Sequence, residues 1–323
     1  YDLGKNDRIF LSYYTGKDNF LSFDEIDGKP KEYLRIFWGN RTFSARWNHT
    51  YSERLFSNLT LIRSAYDFTT RTNFGDVDEP IINEAGSGIY DYTAKLDYTY
   101  YLNNKHTINY GAIYTRHLFV PEAVQTAGII GSFNRYSEIR AAEFAAYVED
   151  EIQDFYKWDI SLGLRLSGFL ISDEFKFNPE PRIALGRNLK KNMRLNLSYN
   201  RMAQYMYLFS QANYGIPTFY WLPIYENQKA LTSDNFSLGV NHKLKWGIEY
   251  GADIYYRNIG NIIDNSRSQF VFDFISNGLN TQINGKGSKQ GVGRAYGLEL
   301  FFKQNIGRFE YYASYTLSRA ENK

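Results

Sequence analysis

Cysteine is absent from the 323-residue chain, which excludes a disulfide framework and thiolate metal sites. Long apolar runs are also missing, since no stretch approaches the roughly 18 uninterrupted apolar residues of a transmembrane helix. Neither sign of charge dominates: 37 basic and 35 acidic residues give a formal net charge of +2, so no nucleic-acid-binding surface is indicated. No Pro/Ser-rich linker or composition shift divides the chain. We therefore expect a single domain over residues 1–323.

Aromatic residues are abundant instead, at 18% of the chain, with 29 Tyr, 24 Phe and 5 Trp. This content accompanies a mean hydropathy of only −0.49. A tyrosine ring has an apolar body and a polar tip, so it suits the boundary between a membrane and water. A soluble all-β protein can also be rich in tyrosine. Composition alone therefore leaves both environments open.

Apolar and polar residues alternate with a period of two, which is the pattern of β-strands. The alternation is clear in residues 157–171, 247–258 and 308–319. In the first of these segments the apolar face comprises Ile160, Leu162, Leu164, Leu166 and Leu170, and the other face comprises Asp159, Ser161, Arg165 and Ser167. A helix would need an apolar stripe every 3.6 residues, and these segments lack one.

The pattern predicts thirteen strands. They cover residues 7–21, 32–50, 55–74, 89–102, 107–120, 141–153, 157–171, 177–189, 193–209, 232–244, 247–265, 292–304 and 308–320. The second strand changes phase near Gly39–Asn40, which indicates a β-bulge. Most of the strands are far longer than the ~5–6 residues of an average globular strand. They are long enough for the ~9–11 residues that a tilted strand needs to cross a bilayer.

The predicted connections alternate between short and long. The short ones fall near residues 51–54, 103–106, 154–156, 190–192, 245–246 and 305–307, and the longer ones near 22–31, 75–88, 121–140, 172–176, 210–231 and 266–291. Outer-membrane barrels have short periplasmic turns and longer extracellular loops. A β-sandwich alternates less regularly. The sequence therefore predicts an all-β, antiparallel transmembrane β-barrel of the bacterial outer membrane.

Charged residues lie on the face opposite the apolar one. A barrel in lipid must close, because an open strand edge cannot be hydrogen-bonded there, and its charged face then lines the lumen. The residues expected to face the lumen or a plug are Arg165, Arg182, Arg194, Glu249, Asp253, Arg257 and Glu299. Bacterial barrels of one chain have an even number of strands. Thirteen strands therefore predict an incomplete barrel.

Four segments resemble the strands of TonB-dependent outer-membrane receptors. They are residues 143–169 (EFAAYVEDEIQDFYKWDISLGLRLSGF), 177–209, 230–244 and 291–323. Tyrosine-rich strands and the sequence Tyr-Thr-Leu-Ser-Arg near residue 319 are most similar to the Bacteroidota branch of that family. The resemblance covers most of the chain. Each segment taken alone resembles the family only weakly. The order and spacing of the four segments together make the resemblance specific.

The resemblance implies a 22-stranded barrel around an N-terminal plug domain, with the plug and the C-terminal strands outside this sequence. It also implies coupling to an inner-membrane TonB–ExbB–ExbD complex. The function expected from it is active import of a scarce small solute, such as a siderophore, vitamin, glycan or peptide, in some members with a surface lipoprotein as a lid. A passive porin-type channel and an outer-membrane barrel enzyme or adhesin are the alternatives, and a soluble β-protein is a further one.

The aromatic loop 210–231 is the candidate for binding the solute. Its aromatic residues are Tyr214, Phe219, Tyr220, Trp221 and Tyr225. Aromatic planes on an extracellular loop can stack on a sugar or a siderophore-like ligand. Packing between loops is the competing interpretation, and for each residue taken alone it is the preferred one.

No catalytic constellation is present, so we expect no enzyme. The four histidines are scattered without metal-ligand spacing, and neither a P-loop nor a Gly-x-Ser-x-Gly motif occurs. Loop 75–88 carries Asp76, Asp78, Glu79 and Glu84, an oxygen-rich set that fits Ca²⁺. Its spacing is not that of an EF-hand loop, so a solvated acidic loop is the preferred interpretation and no cofactor is expected.

Overall fold

In the computed structural model the chain forms one large antiparallel sheet and a separate hairpin. The structure describes residues 2–26, 29–76, 79–128, 131–190, 192–213, 216–224, 228–263 and 290–322. The strands are β1 Asp7–Ile26, β2 Lys29–Ser52, β3 Leu55–Asp76, β4 Glu79–Tyr101, β5 His106–Gly128, β6 Gly131–Phe155, β7 Trp158–Ile171, β8 Glu174–Lys190, β9 Met193–Gln204, β10 Met206–Asn213, β11 Ile216–Pro223, β12 Leu231–Lys243, β13 Ile248–Ile263, β14 Gln290–Ile306 and β15 Phe309–Asn322.

Thirteen of these strands form the sheet, in the order β1 to β9 and then β12 to β15. Each strand pairs antiparallel with its neighbour, and β9 pairs directly with β12, so that β10 and β11 form a two-stranded sheet of their own. The predicted all-β, antiparallel, thirteen-stranded architecture is therefore confirmed. The total of 22 strands stays a prediction.

Helical structure is nearly absent from the described residues. One short 3₁₀ turn, Lys245–Gly247, connects β12 to β13. Among the described residues no helix has the length and apolar character needed to cross a membrane.

The two faces of the sheet differ as the alternation predicts. On β7, Leu162, Leu164 and Leu166 point to one face and are 46%, 41% and 40% exposed, although they are strongly apolar. Ser167 and Phe169 point to the other face of the same strand and are 1% and 0% exposed. Because β10 and β11 pack on this second face, we call it the inner face and its opposite the outer face.

The predicted β-bulge near Gly39–Asn40 is wrong. The pairing of β2 with β1 runs without a shift through Gly39 and Asn40, and so does its pairing with β3. The register of β2 shifts instead near its two ends, at Lys31 in its pairing with β1 and at Thr50–Ser52 in its pairing with β3. The change of phase in the sequence has another cause: in the first half of β2 the inner face itself becomes apolar. Ile36 lies there and is 7% exposed.

The strands also extend further than predicted at the end of the long connections. β3 and β4 leave only residues 77–78 between them, and β5 and β6 only 129–130, although 75–88 and 121–140 were expected to be loops. The two strands of each pair stay extended and hydrogen-bonded almost to the connection between them. The sequence does not show where this pairing stops. The β5–β6 ladder shifts register between Phe119 and Glu122, around the buried Pro121.

Candidate functional site: the inner wall beneath an inward-folded hairpin

The chain leaves the sheet after β9 and returns to it at β12. Tyr205 follows β9 directly and is 1% exposed. β10 and β11 then form an antiparallel hairpin, with Met206 opposite Pro223. At its base the backbone N–H of Ile224 donates to the Tyr205 carbonyl at 2.8 Å. The two ends of the hairpin are therefore hydrogen-bonded to each other on the inner face.

Tyr205 anchors this point to β7 and β8. Its ring stacks on that of Phe169, with centroids 5.1 Å apart and planes 3° from parallel. Its hydroxyl lies 2.8 Å from the Ser167 Oγ, and the Asn178 Nδ2 donates to it at 3.0 Å. Ser167 and Asn178 oppose each other across the two strands, so one cross-strand pair provides both polar partners.

An apolar cluster surrounds the anchor. Its buried members are Phe119, Ile139, Ala141, Phe169 and Ile171 on the wall and Tyr205, Ile224 and Ala230 on the inserted segment. Tyr207 and Trp221 of the hairpin pack against it, and burial raises the pKa of the Tyr207 hydroxyl to about 12. Burial of these apolar groups is what stabilises the inserted segment against the wall.

Charged side chains form a network on the same wall, nearer to the short turns. His117, 3% exposed, places its Nδ1 2.8 Å from the Asp91 Oδ1. The Arg165 Nη2 lies 3.4 Å from the Glu143 Oε1, and its Nε lies 3.5 Å from the Glu180 Oε1. Glu180 is almost fully buried. One guanidinium therefore lies between two carboxylates under the hairpin anchor, which fixes charges of both signs on this wall.

Two open grooves lie on the inner face of β6 to β14. One, of about 650 Å³, has Arg182, Arg257 and Glu299 along its wall. The other, of about 610 Å³, contains Asp159 and Arg194, whose side chains form an ion pair at 2.9 Å. Both grooves are lined largely by polar and charged side chains, so they suit water and polar solutes.

The structure puts all seven residues predicted to face the lumen on the inner face. Arg165 joins the charged network, and Arg257 donates from Nε to the Asn235 Oδ1 at 2.6 Å. Glu249 lies 3.5 Å from the Lys243 Nζ. Asp253 opposes Glu299 in the register of β13 and β14. Contact of this face with a plug or a solute stays a prediction.

The predicted aromatic loop is the inserted segment. Trp221 packs against the apolar cluster. Phe219 and Tyr220 lie in β11, opposite Ser210 and Phe209. Tyr214 and Tyr225 lie outside the described residues. The packing of Trp221 fits the loop-packing interpretation for that residue, and a role of these aromatics in solute binding stays a prediction.

The predicted acidic loop is built into strands at its described positions. Glu84 lies on β4, and its carboxylate accepts a hydrogen bond from the Arg71 Nε at 2.7 Å. Asp78 lies outside the described residues. Within the described part of the chain, no group of three acidic or histidine side chains is placed to hold a metal ion.

Sequence reasoning missed the residues that organise the site. The alternation predicts a strand that continues to residue 209, whereas β9 ends at Gln204 and Tyr205 leaves the sheet. The sequence pattern does not single out His117 or Glu180. The available signal was the crowding of aromatic and apolar residues on both faces from Tyr205 onwards. The partners of these residues could not be found from periodicity, because Tyr205 and Ser167 lie far apart in the sequence.

A family model for the β-barrel of TonB-dependent receptor-like proteins matches residues 1–323. The chain belongs to the TonB-dependent receptor family. The barrels of this family are located in the bacterial outer membrane and function in import across it. The finer assignment to the Bacteroidota branch stays a prediction. No curated protein sequence matches the chain.

Solved structures with a similar fold are receptors or transporters by their descriptions. The ferripyoverdine receptor of Pseudomonas aeruginosa is 11% identical, with a TM-score of 0.69 over 100% of this chain and 48% of that one. The ferric yersiniabactin uptake receptor FyuA of Yersinia pestis is 12% identical (TM-score 0.65, 98% and 50%). The RagAB peptide transporter is 10% identical (TM-score 0.65, 100% and 45%). The chain thus spans about half the length of these structures, and the likeness is one of fold.

Proposed function

We propose that this chain forms part of the wall of an outer-membrane receptor that actively imports a scarce solute. One observation carries the proposal: in a barrel of this family, the β10–β11 hairpin is anchored to the inner wall by Tyr205. A segment held in this way narrows the passage at the end of the long connections. Such a narrowing allows a barrel to select its solute.

The surface next to the hairpin combines two kinds of contact. Trp221, which is only partly buried, offers aromatic surface, and the partly exposed side chains of Arg165 and Glu143 offer charges of both signs. A solute with both apolar and polar groups, such as a siderophore, vitamin, glycan or peptide, fits this combination. The similar solved structures take unlike ligands, described as ferric siderophores and peptides, so their solutes do not transfer to this chain.

The partners follow from the same proposal. The inner-face groove at Arg182 and Glu299 provides charged contacts for a plug domain. Coupling of that plug to TonB–ExbB–ExbD then supplies the energy for release of the solute, and a surface lipoprotein is a further partner over the long connections. The outer face contacts lipid of the outer membrane. The mechanism is binding and gating, without bond chemistry.

Electrical conductance separates this function from that of a porin. The full-length protein is inserted into a planar phosphatidylcholine bilayer, and current is recorded at steady voltage. A receptor with its plug in place should hold no stable open pore. A constant ohmic conductance for each inserted molecule would instead identify a diffusion channel and overturn the proposal.

Dependence on energy is the second readout. Cells that express the full-length protein are grown on the solute under test with and without a functional TonB. Growth that depends on both the protein and TonB is expected. Growth supported equally in the strain lacking TonB would contradict active import.

A further inference from the structure

An apolar groove lies on the outer face of β4 to β8. Its volume is about 520 Å³, and alanines provide a shallow floor on three neighbouring strands, at Ala94, Ala112 and Ala146. The larger side chains around this floor are Leu59, Leu96, Tyr114, Phe144, Leu166, Phe175 and Phe177. The groove thus offers an apolar surface on which an acyl chain can lie.

Arginines line the rim of the groove toward the long connections. Arg116 lies two residues beyond Tyr114 on the same face of β5 and is exposed. Tyr92 is its cross-strand neighbour on β4, and Arg63 on β3 is the neighbour of Tyr92, with its guanidinium 5.5 Å from the Tyr92 ring centroid. In the part of the chain that the structure describes, neither Arg63 nor Arg116 has a carboxylate within 4.0 Å.

Two further arginines flank this pair and already have partners. Arg41 forms an ion pair with Asp67, and Arg140 forms one with Glu138 at 3.0 Å. Among these four arginines, only Arg63 and Arg116 therefore remain available to bind an anion from the membrane. Their Cα atoms are separated by two strand spacings, roughly 10 Å, a distance over which two long side chains can converge on one phosphate.

The height of this pair on the barrel matches a headgroup layer. From Tyr92 to Tyr101 at the end of β4, the strand rises roughly 30 Å, or roughly 23 Å along the membrane normal at a tilt of ~40°. The outward apolar band of such barrels is about 25 Å tall. Near the short turns, Tyr98 and Tyr110 stack at 5.1 Å, as expected of the opposite aromatic girdle. The arginines therefore lie at the edge of the hydrocarbon, where lipid phosphates begin.

We propose that this outer-face groove and its rim form a binding site for one lipid of the outer leaflet whose headgroup is an anionic phosphate. The phosphate lies between Arg63 and Arg116, and an acyl chain lies over Ala94, Ala112 and Ala146. The arginines of the rim select a negatively charged headgroup, and the apolar floor selects an acyl chain. An anionic lipid has both. The inference goes beyond solute import and rests only on the outer face contacting lipid.

Lipid titration tests the rim. Full-length protein in phosphatidylcholine nanodiscs is titrated with phosphatidic acid, and bound lipid is counted by native mass spectrometry. A juxtamembrane arginine contributes a factor of about 5 in affinity, so R63Q/R116Q should bind roughly 25-fold more weakly. The matched control is R54Q/R308Q, which removes the same charge from exposed turns at the other end of the barrel. Equal weakening in both pairs, or equal binding of phosphatidic acid and phosphatidylcholine, would overturn the proposal.

Filling the groove tests the acyl chain. Ala112 is exposed on the outer face, so Ala112→Trp adds volume to the groove without entering the wall. The affinity for phosphatidic acid should fall about 10-fold or more, because the acyl chain loses its floor. Inorganic phosphate should not displace the lipid. An unchanged affinity in Ala112→Trp, or displacement by inorganic phosphate, would contradict a site that holds the whole lipid.

Discussion

Removing the Tyr205 hydroxyl should release the β10–β11 hairpin from the wall without unfolding the sheet. In Tyr205→Phe the ring still stacks on Phe169, but the contacts with Ser167 and Asn178 are lost. Each such hydrogen bond contributes about 1 kcal/mol net, and Ser167 is left buried without its tyrosine partner. We expect docking to weaken by about 2 kcal/mol, roughly a 30-fold change in the docking equilibrium.

Hydrogen exchange measures this change directly. In the full-length protein, amides in residues 206–213 and 216–224 should exchange roughly 30-fold faster in Tyr205→Phe, whereas those of β13 to β15 should be unchanged. Tyr250→Phe is the control, since it removes a tyrosine hydroxyl that bonds the His242 Nδ1 at 2.9 Å on the outer face. Unchanged protection of the hairpin in Tyr205→Phe, or equal loss in Tyr250→Phe, would refute the role of the anchor.

Other perturbations give further expectations. Arg165→Ala leaves the buried Glu180 without its cation, whereas Glu143 keeps His117 at 3.8 Å. We expect it to cost about 2–3 kcal/mol of unfolding free energy in urea titrations in lipid vesicles. Arg194→Ala, whose pair with Asp159 is exposed, should cost no more than about 1 kcal/mol. Equal costs would contradict the burial argument. Burial raises the pKa of Tyr207 from its exposed value of 10.0 to about 12. Docking of the β10–β11 hairpin is therefore at full strength below about pH 10 and should weaken about 10-fold by pH 11. Trp221 fluorescence measures this loss, and a pH response equally steep in Tyr207→Phe would refute that cause.

The strands were predictable because alternation is a local property. β7 and β13 show it residue by residue, and the thirteen strands of the sheet follow from it. The ends of β3 and β4 were not predictable, because each strand ends where its pairing with the other strand ends, and pairing is not visible in the sequence of one strand. The wrong prediction of a bulge has a related reason. Ile36 is apolar because the inner face is covered there, and in the sequence an apolar residue on the other face looks the same as a change of phase.

The site was predictable only in part. Arg165 and Arg182 could be placed on the inner face from alternation alone. Their partners could not, because the pairing of Arg165 with Glu180 depends on the register of β7 against β8. The Tyr205 anchor depends on a segment that leaves the sheet. Local patterning identifies that segment as aromatic, and only its contacts with β5, β7 and β8 show which way it folds.

Cysteine labelling of the full-length protein, with any cysteine outside residues 1–323 replaced by serine, tests the central assignment of the two faces; residues 1–323 contain no cysteine. Spin labels are attached to Leu162→Cys on the outer face and to Ala184→Cys on the inner face, positions at nearly the same height on β7 and β8. In liposomes, the label at residue 162 should collide more with oxygen dissolved in lipid, and the label at 184 more with a water-soluble nickel complex. The reverse preference, or the same preference at both positions, would contradict a barrel with its apolar face in hydrocarbon and its charged face around a wet interior.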